Sequence, residues 1–260
     1  PSDRSTPTDP GQDSRVVILA AGKGTRMNSD LPKVLCEVAG RPMIHFVLDA
    51  ADRAGIREKI VVVGYEADQV KAALASRHDA NLTFAEQHQQ LGTGHAVQMC
   101  EPHLRGRSGV TLVVAGDSPL IQPASLTRLL DHFRKARPAL LLGTLEKENP
   151  TGLGRIVRDE RDRFVGIVEH KDASETQRQI REVNMSTYLF DNTALLWALG
   201  QLDNDNAQGE FYLTDCARLL FEAGRLVEAL PVLQPCEALS INNPSELEIV
   251  DQTMRKMGYA

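Results

Sequence analysis

Strand-like and helix-like segments alternate from residue 15 to about 145, and this alternation most limits what the chain can fold into. Val16-Val17-Ile18-Leu19 forms an apolar run of strand length. Pro42 stands where a helix can open, and Met43, Phe46, Val47, Ala50, Ala51 and Ala54 share one face at helical spacing before Gly55. Ile60–Val63 predicts a second buried strand, Ala67, Val70 and Leu74 a helix, and Leu82–Phe84 a short strand. Val110–Ala115 predicts a strand, Pro123–Phe133 a helix and Ala139–Leu145 a further strand. Such a series predicts an α/β fold whose parallel sheet is covered on both faces. Ligands of such sheets sit outside the carboxyl ends of the strands.

Beyond residue 150 the rhythm changes. Arg155–Val157 and Phe164–Val168 flank the charged stretch Asp159–Arg163 and predict a hairpin. Val183–Phe190 predicts another strand, Thr193–Leu199 and Tyr212–Ala223 helices, and Pro244–Met257 a last helix capped by Asn243. Residues 1–14 hold little that could be buried and predict a disordered tail. The expected organisation is one domain over 15–260, in two parts, 15–145 and 146–260.

The chemistry concentrates where the first strand ends. Leu19-Ala20-Ala21-Gly22-Lys23-Gly24-Thr25-Arg26-Met27 gives a Gly-rich turn, and Leu31-Pro32-Lys33 follows. Glycines leave backbone N–H groups open to phosphate oxygens. Lys23, Arg26 and Lys33 gather cations against the single carboxylate Asp30. No Gly-Lys-Ser/Thr ends the turn, so it is not a P-loop, and the glycine spacing is not that of a dinucleotide fingerprint. The pattern suits a triphosphate and the charge that develops when it is cleaved.

Composition narrows the partners. The 260 residues carry a formal net charge of −6, with 42% hydrophobic residues. The charge gives no nucleic-acid footprint, so an anionic substrate needs a local basic site. Cys36, Cys100, Cys216 and Cys236 lie far apart without zinc-site spacing, which predicts reduced thiols and a cytoplasmic protein. No apolar run is long enough to predict a membrane span.

The motif around Gly22, with Arg26-Met27 and Pro32-Lys33, resembles the signature of the sugar-1-phosphate nucleotidyltransferases. Further stretches continue the resemblance: Gln87–Ala96, Gly116–Leu120, Asn149–Val157, Val168–Ala173, Asn206–Tyr212 and Asn242-Asn243. Within that family the chain is similar to the uridyltransferase half of the bifunctional bacterial N-acetylglucosamine-1-phosphate uridyltransferases, over about residues 15 to 250. The resemblance implies a Rossmann-like mixed sheet of the nucleotide-diphospho-sugar transferase type with a sugar-binding subdomain. It implies Mg²⁺ as cofactor, and UTP and a sugar 1-phosphate as partners. Hexapeptide repeats are missing from this sequence, so no left-handed β-helix, no acetyl transfer and no β-helix trimer are expected, and a monomer or weak dimer is.

Roles follow from the same resemblance, together with the chemistry of each residue. Arg26 and Lys33 are the expected catalytic cations. Leu19, Ala20, Ala21, Gly22, Lys23, Gly24 and Thr25 would hold the nucleotide, with Gln87, Gln90, Gly92 and Thr93. A Gln amide offers a donor and an acceptor, which matches a uracil edge. Thr93 could equally cap the following helix. Asp117 and Asn242 would hold the metal; Asp117 suits a hard cation at a strand end, whereas nothing in the spacing joins Asn242 to it. Gly154, Glu169 and Asn184 would read the sugar. His95 is expected to pack or make a structural hydrogen bond, because the reaction needs no acid. Ala115, Leu153 and Met185-Ser186 depart from the family's usual Tyr, Tyr and Thr-Gly. They leave open another sugar 1-phosphate, such as glucose 1-phosphate. A non-catalytic nucleotide-sugar sensor is the alternative from a different class.

Overall fold

Valine, isoleucine and leucine fill the segments expected as strands, and they assemble into one sheet. The computed structural model describes residues 14–24, 27, 31–206, 208–239 and 241–259. The strands are β1 (Ser14–Ala20), β2 (Glu37–Val38), β3 (Arg41–Pro42), β4 (Glu58–Val63), β5 (Leu82–Glu86), β6 (Val110–Ala115), β7 (Leu140–Glu146), β8 (Arg155–Arg158), β9 (Phe164–Val168), β10 (Glu182–Asp191) and β11 (Val227–Pro231). The helices are α1 (Met43–Arg53), α2 (Ala67–Ala75), α3 (Thr93–Gln98), α4 (Glu101–Leu104), α5 (Pro123–Ala136), α6 (Glu175–Arg178), α7 (Asn192–Leu199), α8 (Asp215–Glu222) and α9 (Pro244–Lys256). Among the described residues nine strands form the main sheet, in the order β11-β7-β10-β6-β1-β4-β5, with β8 and β9 continuing from β10.

Strand β1 pairs in parallel with β4 and β6, and β4 with β5. Strand β10 enters between β6 and β7, antiparallel to both. The sheet is therefore mixed, and β7 still points the same way as β6. Ser14, expected as the last tail residue, instead opens β1 and is buried. Residues 1–13 lie outside the described residues.

Alternation along β1 divides the core. Val16, Ile18 and Ala20 join Ile44, Leu48, Leu126 and Leu129 from α1 and α5 on one face. Val17 joins Val97, Leu195 and Leu220 on the other, under α3, α7 and α8. A third cluster seats Met254 of α9 on Val38, Met43 and Phe46. Helix α8 begins at Asp215, later than the expected Tyr212. The residues just before it are hydrogen-bonded to the loop ahead of α3, as described below.

The site follows from strand direction. The carboxyl ends of β1, β4, β5 and β6 share one edge of the sheet. The amino end of the antiparallel β10 returns to the same edge. Gly22, Gln87, Asp117 and Asn184 are thus gathered there from distant parts of the chain.

Candidate active site

The Gly-rich turn leaves β1 at the middle of that edge. Gly116 N–H donates to the Leu19 carbonyl at 2.9 Å, tying the turns after β1 and β6 together. A Cβ on Gly116 would lie 2.9 Å from that oxygen, so only glycine permits the approach. The Ala21 carbonyl accepts from Tyr65 N–H and from Gln90 Nε2, both at 3.0 Å. Gly22 and Lys23 are exposed, and open space surrounds the place of a Gly22 Cβ. Gly24 has φ +64°, and its missing Cβ would lie 2.6 Å from Lys33 Cβ. The Lys23 ammonium rests over the Tyr65 ring at 5.2 Å. Thr25 and Arg26 lie outside the described residues.

Lys33 opens a single 3-10 turn, Lys33–Leu35, after Pro32. Its ammonium donates to Asp117 Oδ2 and, at 3.4 Å, to Asn242 Oδ1. The two side-chain oxygens expected to hold a metal therefore face one position, although 209 residues separate Lys33 from Asn242. Lys33 and Asp117 retain 16% and 28% side-chain exposure, so the pair is partly open to ligand. Asn242 is held from behind, its N–H donating to Glu246 Oε2 at 2.6 Å. Asn243 caps α9 by accepting from Glu246 N–H, as its sequence position predicts.

The stretch after β5 corrects two expectations. Gln87 is only 4% exposed, and its Nε2 donates to the Gly92 carbonyl at 3.0 Å and contacts His95 Nδ1 at 3.0 Å. The amide nitrogen is spent inside the protein, so the two-sided base contact expected of Gln87 is reduced to its Oε1. His95 makes the structural hydrogen bond expected of it and packs near Phe211. Thr93 does not cap α3; its hydroxyl accepts from Leu213 N–H at 3.1 Å instead. Gly92, at φ +103°, precedes α3, and a Cβ there would lie 2.5 Å from the Phe211 carbonyl. Phe211 N–H donates to Leu91 O, and Gly94 N–H to Phe211 O, both at 2.8 Å. The segment before α8 thus clamps the loop. Nothing local in the sequence marks Phe211 and Leu213 for that task.

The residues expected to read the sugar also meet. Asn184 N–H donates to the Gly154 carbonyl at 2.9 Å, and a Cβ on Gly154 would lie 3.3 Å from Glu169 Oε1. Glu169 is exposed by surface area, yet surrounding protein thins its hydration. That desolvation, joined by the charges of Asp172 and Asp215, pushes its pKa above the usual glutamate range. Asn184 Nδ2 donates to Tyr188 Oη at 2.9 Å, and burial pushes the Tyr188 pKa up to about 12. Leu153 and Met185 pack against the apolar cluster on the α1–α5 face. Arg155, 1% exposed, reaches the Leu153 carbonyl and, at 3.1 Å, His170 Nδ1, linking the Gly154 turn to the strand end that carries Glu169. Arg155 and Tyr188 were not anticipated as site residues. The Gly154-Arg155 pair ahead of Ile156-Val157 was the available signal.

A mixed α/β sheet with a Gly-rich turn and an ammonium between two oxygen donors at one edge has the form of the nucleotide-diphospho-sugar transferase fold. The chain belongs to the family of MobA-like NTP transferase domains, which residues 16–184 match. It is 45% identical over 240 residues to the bifunctional protein GlmU of an Exiguobacterium species, covering 92% of this chain and 52% of that protein. It is 44% identical over 240 residues to GlmU of Oceanobacillus iheyensis, with the same coverage of 92% and 52%. The chain thus spans about half the length of the curated relatives it matches. A UDP-glucose pyrophosphorylase crystallised with UDP-glucose superposes with a TM-score of 0.77 at 18% identity, covering 94% of this chain and 99% of the other. A Bacillus anthracis chain described as a glucose-1-phosphate thymidylyltransferase gives 0.78 at 17% identity, covering 93% and 95%. These two likenesses establish the fold.

Proposed function

We propose that the chain transfers UMP from UTP to N-acetylglucosamine 1-phosphate, yielding UDP-N-acetylglucosamine and pyrophosphate, with Mg²⁺ as cofactor. The observation that carries this reading is the meeting of Lys33, Asp117 and Asn242 beside the Gly22 turn. The identity to GlmU proteins supports the choice of sugar and base. In this reading residues 15–145 hold the nucleotide and 146–260 the sugar side.

The attacking phosphate oxygen is already anionic near pH 7, since a phosphate monoester has its second pKa near about 6. The site therefore needs no general base. Its work is to align two anions and to offset charge. The turn from Leu19 to Gly24, with Thr25, offers backbone N–H groups to the phosphates. Lys33, and Arg26 from the sequence, supply positive charge at the α-phosphate. Lys23 stands over Tyr65 within reach of the outer phosphates. Gln87 Oε1 accepts from uracil N3–H, while Gln90 fixes the turn through the Ala21 carbonyl. Gly92 and Thr93 shape the base end. Gly154, Glu169 and Asn184 bind sugar hydroxyls and the acetamido group.

The donors fit Mg²⁺, because Asp117 and Asn242 present a carboxylate and an amide oxygen to one position. Among the described residues no group of three or more His, Cys, Asp or Glu could hold a metal. Two protein oxygens with phosphate oxygens and water suit this ion. Bound there, it would offset the negative charge of the triphosphate and of the departing pyrophosphate.

Among the described residues no helix is long and apolar enough to cross a membrane, and the four cysteines are free. We propose a cytoplasmic enzyme, monomeric or weakly dimeric, and the formal net charge of −6 supports the absence of nucleic-acid partners.

Pyrophosphate release from UTP against a panel of sugar 1-phosphates tests the reading. N-acetylglucosamine 1-phosphate is expected to give the highest kcat/KM, ahead of glucose 1-phosphate. Binding of UTP and UDP-sugar without turnover would leave a sensor instead. CTP is expected to be poorer than UTP, because cytosine N3 would set an acceptor against Gln87 Oε1. A mispaired buried group costs about 1–3 kcal/mol, or roughly 5- to 150-fold. Equal use of CTP would remove Gln87 from that role.

A further inference from the structure

Ser186 combines a strained backbone with an exposed side chain whose hydroxyl hydrogen-bonds Tyr188. Its φ is +54°, a left-handed conformation that L residues other than glycine rarely hold. The register of β10 against β7 shifts between Asn184 and Thr187, so Ser186 sits in the irregular part of the strand. The local turn is supported by its own N–H, which donates to Asn184 Oδ1 at 3.3 Å. A glycine would hold that bond equally and without strain. The residue itself is exposed, so no core packing compensates for the hydroxymethyl group.

The direction of the strand tells which way that group faces. Met185 and Thr187 line a small cavity with Ser118, Leu120 and Glu237. Asn184 and Tyr188 turn the other way, bonded to each other at 2.9 Å, with Gly154 accepting from Asn184 N–H at 2.9 Å and Glu169 over Gly154. Ser186 lies on that second side, its hydroxyl hydrogen-bonded to the Tyr188 hydroxyl. One bond to Tyr188 leaves the exposed hydroxyl with capacity for a further partner, and strain of this kind recurs at ligand-binding positions.

We infer that Ser186 is a specificity-determining residue, its hydroxyl hydrogen-bonding a polar ring substituent of the sugar 1-phosphate beside Asn184 and Glu169. A hydroxyl both donates and accepts, so it can meet a sugar hydroxyl or an acylamino group. The inference rests on the proposed transfer to a sugar 1-phosphate.

Two variants of the whole chain separate the hydroxyl from the strain. Ser186→Gly removes both. It is expected to raise Tm by about 2–4 °C, yet to raise KM for N-acetylglucosamine 1-phosphate by roughly 5- to 15-fold, the loss of one hydrogen bond of about 1–1.5 kcal/mol. KM for UTP should stay within about twofold. Ser186→Ala removes the hydroxyl and keeps the strain, so Tm should not rise while KM for the sugar rises alike. If both variants keep the parent KM for the sugar, Ser186 is only a turn residue and the inference is overturned. If the parent chain itself releases no pyrophosphate with any sugar 1-phosphate, the proposed function falls and this inference falls with it.

Discussion

Lys33 holds, within one side chain, the tension between binding a metal and using a charge. Its ammonium donates to the same two oxygens that suit Mg²⁺. Lys33→Met should lower kcat by about 10²–10³, the usual effect of removing one preorganised charge contact. It should also tighten Mg²⁺ binding in the absence of nucleotide, because no ammonium competes for Asp117 and Asn242. Calorimetry on the free protein reads that second effect, and weaker Mg²⁺ binding would contradict it. Glu169 gives a pH test. Desolvation, then Asp172 and Asp215, raise its pKa, so it takes up a proton at a higher pH than an ordinary glutamate. A carboxylate that accepts from sugar hydroxyls is lost as pH falls through that raised value. KM for the sugar should therefore climb on the acid side, and Glu169→Gln should abolish the climb. Much of this scale was legible in the sequence. Gly22 and Asp117 follow the ends of recognisable apolar strands, and Lys33 follows Pro32 in the same motif. Asn242 came only through resemblance, since a contact across 209 residues leaves no local trace. The inward use of Gln87 was hidden too, because its partners Gly92 and His95 meet it only once the loop turns back.

Elements placed by periodicity held, and those placed by partners did not announce themselves. Strands β1, β4, β6 and β10 and helices α1, α5, α7 and α9 all fall on runs long enough to show a period. Strand β11 was missed: it is a five-residue edge strand that carries Glu228 and ends on Pro231. Helix α8 starts late because the backbone groups of Phe211 and Leu213 are engaged with Leu91, Gly94 and Thr93. That clamp depends on Gly92. Gly92→Ala would combine a positive φ with a Cβ against the Phe211 carbonyl, and should destabilise the protein by about 2 kcal/mol in denaturant titration. An unchanged midpoint would show that the clamp yields without strain. At the amino end of β4, Lys59 is buried between Asp79, at 2.8 Å, and Asp52. Burial pushes the Asp79 pKa up, but hydrogen bonds from Lys59 and Asn81 outweigh it, and the net shift is downward. A depressed folded pKa stabilises above the ordinary aspartate range and is lost as pH falls through the folded value. Asp79→Asn should cost about 2 kcal/mol at pH 7, and the difference from the parent should shrink as the pH is lowered toward that range.

Taken whole, the molecule buries three of its four cysteines and leaves Cys236 half-buried. Cys100 and Cys216 are fully buried, and burial pushes both pKa values up to about 12. Neither should react with a thiol reagent near pH 8 in the native protein, whereas unfolding should expose all four cysteines. Fast native labelling of Cys100 or Cys216 would mean that the α3–α8 face opens readily. The insertion of β10 between β6 and β7 carries a temporal consequence. As the chain leaves the ribosome, β7 is complete some forty residues before the strand that must separate it from β6. Until Asp191 has emerged, the exposed rim of β6 offers unpaired N–H and carbonyl groups to any passing extended segment. β6 and β7 must therefore remain apart, or part again, for a strand not yet made. A fragment ending at residue 145 should in consequence aggregate rather than fold, and the nascent chain is most vulnerable over the interval in which residues 146–191 are still being translated.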